Sequence, residues 1–339
     1  MALLFIDSFD HYTDTAEKYL QDAGSSIVAG RHGNGRNIGT ETRLALNPNS
    51  ARVIIGAAFN FTSTVNTVYE IHDHDGTWVA TVSVDADGSV KVETFGGPSV
   101  SSAADVVRIH QWHYLEVDLT ILSAPNVTGW WAYELTDCQV LVDGAVVLDS
   151  AVGPGQIHLE PITASAYNWR LIHITPVASG TMDDFYVCDG SGAAPHNAPL
   201  GDVQIDVIRP NGVGASTEWT AVGAASNWDA VNDLTPDDET TYVSAASASL
   251  SDLYAMENVS TDDGILGAQI LISARRTEEG SAALAPLLRH AGTTTALTAR
   301  PMSQTYFYRN RECFVTMPNG DPLTDANVNA LQAGMRRTV

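Results

Sequence analysis

Basic residues are scarce in this chain of 339 residues. It contains 17 Lys and Arg against 40 Asp and Glu, for a formal net charge of −23, and lysine occurs only at Lys18 and Lys91. A chain this acidic repels phosphate backbones and anionic membrane surfaces. Helical periodicity is almost missing, and no apolar run approaches the ~20 residues of a membrane-spanning helix. Composition therefore excludes a basic nucleic-acid binder, a coiled coil and an integral membrane protein.

Cysteine is also rare. Cys138, Cys188 and Cys313 are far apart and lack C-x-x-C spacing, which disfavours a disulfide framework or a zinc site and predicts three buried, reduced thiols. Residues 1–7 have no basic segment and no small-residue cleavage site, so we interpret them as a first β-strand rather than a signal peptide. We therefore expect folding in a cytoplasm.

The chain is instead rich in short alternating apolar and polar runs separated by turn signals. Two hairpins stand out, one over 77–93 with Asp87-Gly88 at its turn and one over 138–149 with Asp143-Gly144. Asp-Gly provides the positive φ angles that tight hairpin turns need. Many short strands at regular spacing predict an all-β sandwich rather than alternating βα units.

A segment of small residues begins near residue 190 and predicts a boundary between two parts of the chain. Strand patterning resumes at residues 202–209, and about eight further strand candidates follow. The only short helical candidate in this second part is 324–331, with Thr324 or Asp325 as its cap.

Several segments, taken in order, resemble structural proteins of tailed bacteriophages. In the first part they are FIDSFDHY (5–12), RHGNGR (31–36), QWHYLEV (111–117) and MDDFYVCDGSG (182–192), the last being the most specific. In the second part they are LGDV (200–203), EW (218–219), NWD (227–229), VND (231–233), TTYVS (240–244) and VNALQAG (328–334). Each motif is weak alone, but their common order covers nearly the whole chain.

The resemblance implies an all-β protein with an N-terminal concanavalin-A-like jelly-roll sandwich over 1–189, a linker over 190–200 and a second, β-sandwich-like domain over 201–339. It also implies a virion protein of the phage tail, in a fibre, collar or baseplate, assembled in the host cytoplasm. Such a subunit associates with other copies of itself, as a ring or trimer, and with other tail proteins.

Two acids on one predicted strand test an enzymatic alternative, because the concanavalin-like fold also hosts glycoside hydrolases. Some retaining members place three acids as E-x-D-x-x-E, which sets nucleophile and acid about 5 Å apart. Glu116 and Asp118 match the first two positions, but Ile121 occupies the third. We therefore expect no catalytic residue, and interpret both acids as solvent-facing residues that alternate with apolar ones.

Asp73 and Asp75, in the segment HDHDG (72–76), are the candidate metal ligands. Imidazoles and carboxylates are good ligands, but a polar hairpin turn is the alternative. Residues 85–88 resemble the start of a calcium loop without its later Glu, so a hairpin turn explains them. We expect no cofactor, with calcium on Asp-rich loops as the alternative. Further candidate ligands are Asp183, Asp184, Asp237 and Asp238.

Trp130, Trp131 and Tyr133 are the candidate carbohydrate-binding residues, because an exposed ring stacks on the apolar face of a pyranose. They lie in a tract, about 123–137, that looks longer than the usual connection in the phage proteins. The alternative is that these rings pack in the core or between subunits, where aromatic anchors are common.

Three functions remain to be weighed. The first is a non-enzymatic structural subunit of a phage tail, which acts by self-assembly and by docking to other tail proteins. The second is a carbohydrate-binding protein that recognises a host-surface glycan. The third, a polysaccharide depolymerase or glycosidase, needs an acid pair that the sequence does not supply.

Overall fold

A computed structural model describes most of the chain, in two compact units. The N-terminal unit comprises Met1–Phe9 and Asp14–Ile205, and the C-terminal unit comprises Asp10–Thr13 and Asp206–Val339. Residues 190–200, predicted as a linker, lie within the N-terminal unit. The described residues are 3–13, 18–19, 21–22, 26–37, 42–46, 48, 50–63, 67–73, 78–94, 99–125, 131–150, 152–154, 169–174, 180–261, 264–277, 279–305 and 307–339.

The N-terminal unit is built from two antiparallel sheets, as the alternating sequence predicts. Its strands are β1 Leu3–Asp7, β2 Gln21–Asp22, β3 Ile27–Ala29, β4 Asn34–Asn37, β5 Thr42–Ala45, β6 Arg52–Phe61, β7 Thr67–Asp73, β8 Trp78–Val84, β9 Val90–Thr94, β10 Ser99–Ser101, β11 Trp112–Pro125, β12 Trp131–Val142, β13 Ala145–Asp149, β14 Val152–Pro154, β15 Trp169–Ile174 and β16 Gly180–Cys188. The nine-stranded sheet runs β13-β12-β11-β6-β16-β4-β3, with β1 paired to β16 and β14 to β12. The seven-stranded sheet runs β10-β9-β8-β7-β15-β5-β2.

Both predicted hairpins are confirmed. Val84 pairs with Val90 across the first turn, and Val142 pairs with Ala145 across the second. At the second turn Asp143 and Gly144 have φ angles of 51° and 75°, as the Asp-Gly pattern predicts.

The core of the N-terminal unit lies between its two sheets. Phe59 of β6 meets Tyr69 of β7 with ring centroids 5.7 Å apart, so these side chains mark the inner faces of the two sheets. Register then places Ala57 of β6 and Leu115 of β11 on the same inner face, because paired residues share a face. Tyr114 and Glu116 alternate with Leu115, so they lie on the outer face of the nine-stranded sheet.

The C-terminal unit is also nearly all β. Its strands are β17 Pro210–Thr217, β18 Thr220–Val222, β19 Tyr242–Ser244, β20 Ser251–Met256, β21 Ala268–Ala274, β22 Ala283–His290, β23 Thr293–Ala296, β24 Arg300–Pro301, β25 Phe307–Phe314 and β26 Gln332–Arg337. A six-stranded sheet runs β17-β20-β26-β22-β23 with β24 beside β22, and two smaller sheets pair β18 with β19 and β21 with β25.

Tyr254, Leu284 and Met335 form one buried cluster on the six-stranded sheet, and Leu288 joins a second cluster with Phe314. The predicted helix is confirmed as α1, Asp325–Asn329, with the Thr324 side chain accepting a hydrogen bond from the Asn327 N–H. No helix in the described part of the chain is long and apolar enough to span a membrane.

Candidate functional site

Most of the residues predicted to bind a ligand lie outside what the structure describes. Trp130 and Asp75 are not among the described residues. Trp131 and Tyr133 belong to β12, where they pair with Pro125 and Ser123, but their side chains are not described. The side chain of Asp73, at the end of β7, is not described either. The sugar-site and metal-site assignments therefore stay predictions.

The structure brings together no group of three His, Cys, Asp or Glu side chains suited to a metal ion within its described residues. Three of the further candidates, Asp183, Asp184 and Asp237, already accept backbone hydrogen bonds. The Asp183 carboxylate accepts hydrogen bonds from the backbone N–H groups of Arg31 (2.7 Å), His32 (2.9 Å) and Asp184 (2.8 Å). Asp237 accepts a hydrogen bond from the backbone N–H of Thr241.

Glu116 and Asp118 are buried, so the expectation that they face solvent is wrong. Glu116 is 0% exposed and Asp118 6% exposed, although both lie on the outer face of the nine-stranded sheet. Alternation along β11 correctly places both acids on the outer face of the sheet, but a later part of the chain, which includes residues 200 and 201, covers this face. Arg52 forms a bidentate ion pair with Asp118, with Nε at 2.7 Å from Oδ1 and Nη2 on Oδ2.

Glu116 holds a later part of the chain against the sheet. Its Oε1 accepts hydrogen bonds from the Tyr186 hydroxyl at 2.6 Å and from the Gly201 N–H at 2.8 Å. The Tyr186 hydroxyl in turn accepts the Leu200 N–H at 2.9 Å. One carboxylate and one phenol thus anchor residues 200 and 201 on the outer face.

A glycine makes room for this arrangement. Gly56 of β6 pairs with both Glu116 and Tyr186, and the Tyr186 ring lies directly over it. A Cβ atom on Gly56 would sit 2.1 Å from the Tyr186 Cε1 atom. The ring therefore crosses the strand only because residue 56 has no side chain.

Asp184 provides a second anchor from an irregular position in β16. The register of β16 against β6 shifts between Asp183 and Tyr186, and Asp184 has φ of 51°, a left-handed conformation that Asp tolerates. Its Oδ1 accepts the Ile205 N–H at 2.8 Å, and its carbonyl oxygen accepts the Tyr114 hydroxyl at 2.9 Å. We call Glu116, Asp184 and Tyr186 the junction latch, since together they fix residues 200–205.

Burial dominates the electrostatics of the junction latch. Burial, with a contribution from the neighbouring Asp183 charge, raises the pKa of Asp184 to about 7. Burial also raises the pKa of Glu116, against the lowering effect of the Tyr186 hydrogen bond. A raised pKa suits a general acid, but such an acid must also reach the substrate. Glu116 and Asp184 are both 0% exposed, and the hydrogen bonds described above are made with the protein itself.

The outer face of the seven-stranded sheet carries polar side chains in a regular array. On β7, β8 and β9 the fully buried Tyr69, Ile71, Ala80, Val82 and Val92 point inward. The alternating residues form what we call the polar row, which consists of Glu70, His72, Thr81, Ser83, Lys91 and Glu93.

Register places members of the polar row side by side on adjacent strands. Thr81 pairs with Glu70 on one side and Glu93 on the other. His72 Nε2 lies 3.2 Å from the Glu70 carboxylate, and Lys91 Nζ lies 2.7 Å from that of Glu93. The row thus combines hydroxyl, carboxylate, imidazole and ammonium groups; Glu70, Lys91 and Glu93 are partly exposed, whereas His72, Thr81 and Ser83 are buried.

The hydroxyl group of Thr81 is a polar-row group that makes no hydrogen bond within the described part of the chain. Its Oγ1 is buried. Sequence reasoning missed the row, although polar residues at 70 and 72, at 81 and 83, and at 91 and 93 carry the period of two that could have revealed it.

No protein-family model and no curated protein matches the chain. Among solved structures, it is similar to domain 4 of AbnA, a GH43 extracellular arabinanase from Geobacillus stearothermophilus, in complex with arabinotriose, at 12% identity over 56% of this chain and 92% of that one, with a TM-score of 0.33. It is similar to Caenorhabditis elegans galectin LEC-6 at 12% identity over 43% and 88% of the two chains, with a TM-score of 0.29. It is similar to the carbohydrate-binding module CBM66 from Bacillus subtilis at 10% identity, over 50% of this chain and 94% of that one, with a TM-score of 0.29. Likeness of this extent says nothing about ligand or activity.

Proposed function

We propose that this protein is a non-enzymatic structural protein of a tailed-phage virion, a tail fibre, collar or baseplate-associated subunit that assembles with copies of itself and docks to other tail proteins. The order of phage-like segments along the sequence supports the phage origin. The junction latch supports a structural role, and it is the observation on which this proposal depends.

All three residues of the junction latch lie in segments that carry the phage resemblance. Asp184 and Tyr186 belong to the segment 182–192, and Glu116 belongs to the segment 111–117. In the folded chain these residues bind backbone groups of residues 200–205. These buried side chains hold the backbone of residues 200–205 in one position against the sheet, as a rigid scaffold requires. A rigid, disulfide-free scaffold suits a subunit that folds in the host cytoplasm and then joins the tail.

The test is to look for the chain in purified particles of the phage that encodes it. We expect cryo-electron microscopy to place it in a symmetric ring or fibre of the tail, and sedimentation of the purified protein to show a closed oligomer. Absence from the particles, together with a monomer at high protein concentration, would refute the proposal.

Carbohydrate binding is the second candidate function, and the polar row favours it. The partly exposed carboxylates of Glu70 and Glu93 and the ammonium group of Lys91, on one sheet face, suit hydrogen bonds to sugar hydroxyls. A virion protein with such a face would recognise a host-surface glycan while remaining a structural subunit.

A glycan array tests the second candidate with matched variants. Lys91→Gln and Glu93→Gln remove partly exposed charges of the polar row. Trp131→Ala tests the aromatic residues, and Asp149→Asn on the exposed end of β13 is the control. We expect array signals that the polar-row variants reduce and the control keeps. Signals lost only in Trp131→Ala would move the site to the β11–β12 hairpin, and an array without any signal would rule this function out.

A further inference from the structure

The six-stranded sheet of the C-terminal unit carries an arginine-lined groove. The groove has a volume of about 590 Å³, which is within the usual size of small-ligand sites. It lies on the face opposite the buried cluster of Tyr254 and Met335, because its floor residues Leu253 and Leu287 alternate with residues of the core. Its walls include Arg289 and Arg336.

Register builds the groove from three central strands. Leu253 of β20, Gly334 of β26 and Leu287 of β22 lie side by side and form an apolar floor with a gap at its centre. A Cβ atom on Gly334 would sit 2.0 Å from the Asp252 carbonyl oxygen, so only glycine fits there. Because Gly334 has no side chain, the groove is deepest between Leu253 and Leu287.

Three arginines line the groove, and two of them, Arg289 and Arg336, lie at opposite ends of this floor. The third, Arg337, donates to the carbonyl oxygens of Ala245 and Val339. Arg336 pairs with Ala285, and Arg289 lies four residues further along the same strand. At a rise of about 3.3 Å per residue, their backbones are roughly 13 Å apart along the sheet. Two guanidinium groups can thus reach a ligand that runs along the strands.

Arg336 is the unengaged cation of the pair. No hydrogen bond or ion pair joins its guanidinium to any residue in the described part of the chain. Arg289 is held in place, since its Nη1 donates to the Gly292 carbonyl at 3.0 Å and to Thr294 Oγ1 at 2.9 Å. Glu218 is the single acid among the described lining residues, and its Oε2 accepts the Ser251 N–H at 2.7 Å.

We propose that this groove binds a carboxylate-bearing oligosaccharide, with Arg289 and Arg336 each receiving one carboxylate of the sugar chain. Guanidinium groups bind carboxylates in a bidentate geometry that other side chains do not reproduce. The remaining walls offer hydroxyls to sugar hydroxyls, from Ser216, Ser249, Ser251, Thr294 and Thr338. A basic groove on a chain of net charge −23 selects for anionic ligands.

An acidic protein segment is the competing occupant, and the groove suits it less well. A specific protein interface covers about 800 Å² on each partner and is usually built around aromatic anchors. No Phe, Tyr or Trp is among the described lining residues, whereas hydroxyl groups are abundant. The groove is in the C-terminal unit and the polar row is in the N-terminal unit, so a test of one binding site does not decide the other.

Calorimetric titration of the full-length protein with a galacturonic-acid tetrasaccharide tests the proposal. Its methyl ester, which lacks the negative charges, and a glutamate-rich peptide are titrated alongside. We expect the acidic tetrasaccharide to bind, the ester not to bind and the peptide to bind more weakly. Binding by the ester as tight as by the acid, tighter binding by the peptide, or no heat with the acid at about 1 mM would each overturn the proposal.

Matched arginine variants locate the binding. Arg336→Gln removes the unengaged guanidinium, and we expect at least about a tenfold loss of affinity, the effect of one charge-assisted hydrogen-bond pair. Arg300→Gln, on exposed β24, removes the same charge outside the groove and should bind like the wild type. If Arg336→Gln unfolds early in a circular-dichroism melt, Arg289→Gln replaces it. Equal affinity in the Arg336 and Arg300 variants would place the ligand elsewhere and refute the assignment.

Discussion

Replacing Asp184 with Asn should stabilise the N-terminal unit at neutral pH. It should also abolish most of the pH dependence that we expect for the unit's free energy of unfolding in the wild type. Asp184 is fully buried, its Oδ1 accepts the Ile205 N–H, and its Oδ2 has no hydrogen-bond partner within the described chain. Burial raises its pKa from 3.8 to about 7. Asn keeps the Oδ1 acceptor, tolerates the left-handed backbone at this position, and cannot ionise.

The direction of the effect follows from proton uptake. Between about pH 4 and pH 7 the folded protein holds a proton on Asp184 that the unfolded chain has lost. The free energy of unfolding therefore falls as pH rises through this range, and it is level above about pH 7. Three pH units at 1.36 kcal/mol each set an upper limit of about 4 kcal/mol, since relaxation around the charged carboxylate reduces the penalty. At about pH 8 the Asp184→Asn variant should gain up to this amount, and at about pH 4 it should gain nothing.

Buried thiols allow each unit to be followed separately. Cys188 lies in the N-terminal unit and Cys313 in the C-terminal unit, and both are buried and free. Thiol labelling along a urea series at about pH 5 and about pH 8 should show the Asp184→Asn gain at Cys188, and at Cys138 of the same unit, but not at Cys313. Asp149→Asn, which removes a charge from exposed β13, is the control and should follow the wild type. An identical change of the Cys188 midpoint with pH in the wild type and in Asp184→Asn would refute the reasoning.

Three further substitutions, each followed by urea unfolding, test individual contacts inside one unit or the other. Gly56→Ala should cost more than about 2 kcal/mol, because the new Cβ would meet the Tyr186 ring at 2.1 Å, and a neutral effect would show that the ring does not cross the strand. Tyr186→Phe should cost about 1–3 kcal/mol by removing the hydroxyl between Glu116 and Leu200, and an unchanged midpoint would contradict that bond. Asp252→Ala should destabilise the C-terminal unit by about 3 kcal/mol, since it leaves three donors unpaired, including the Trp219 N–H, and an effect at Cys188 instead of Cys313 would contradict it.

Local chemistry made the hairpins predictable from the sequence. At the second hairpin the Asp143 carboxylate also binds the Tyr114 N–H and the His113 ring, both at 2.8 Å, so one residue both turns the chain and fastens the turn. The turn itself needs only positive φ at Asp143 and Gly144, which the Asp-Gly pair predicts and the structure shows.

The junction latch was beyond sequence reasoning because its partners are remote. Glu116 lies 70 residues from Tyr186 and 85 from Gly201. Alternation along β11 correctly places Glu116 on the face away from the core, but it contains no information about chain that later covers this face. The same holds for the arginine groove, because only the pairing of β22 with β26 places Arg289 and Arg336 on one face of the sheet.

Burial of Glu116 changes how any functional test of this acid must be interpreted. On the sequence alone, Glu116→Gln is a test of glycosidase activity, since loss of polysaccharide cleavage would point to a catalytic role for Glu116. In the folded chain, the substituted glutamine would keep an acceptor for Tyr186 and Gly201 while removing a buried carboxyl group whose pKa is raised. The variant should therefore fold at least as well as the wild type near neutral pH. Loss of a function in a well-folded Glu116→Gln protein would implicate the charge itself, whereas loss that follows the unfolding curve would reflect only the scaffold that the junction latch maintains.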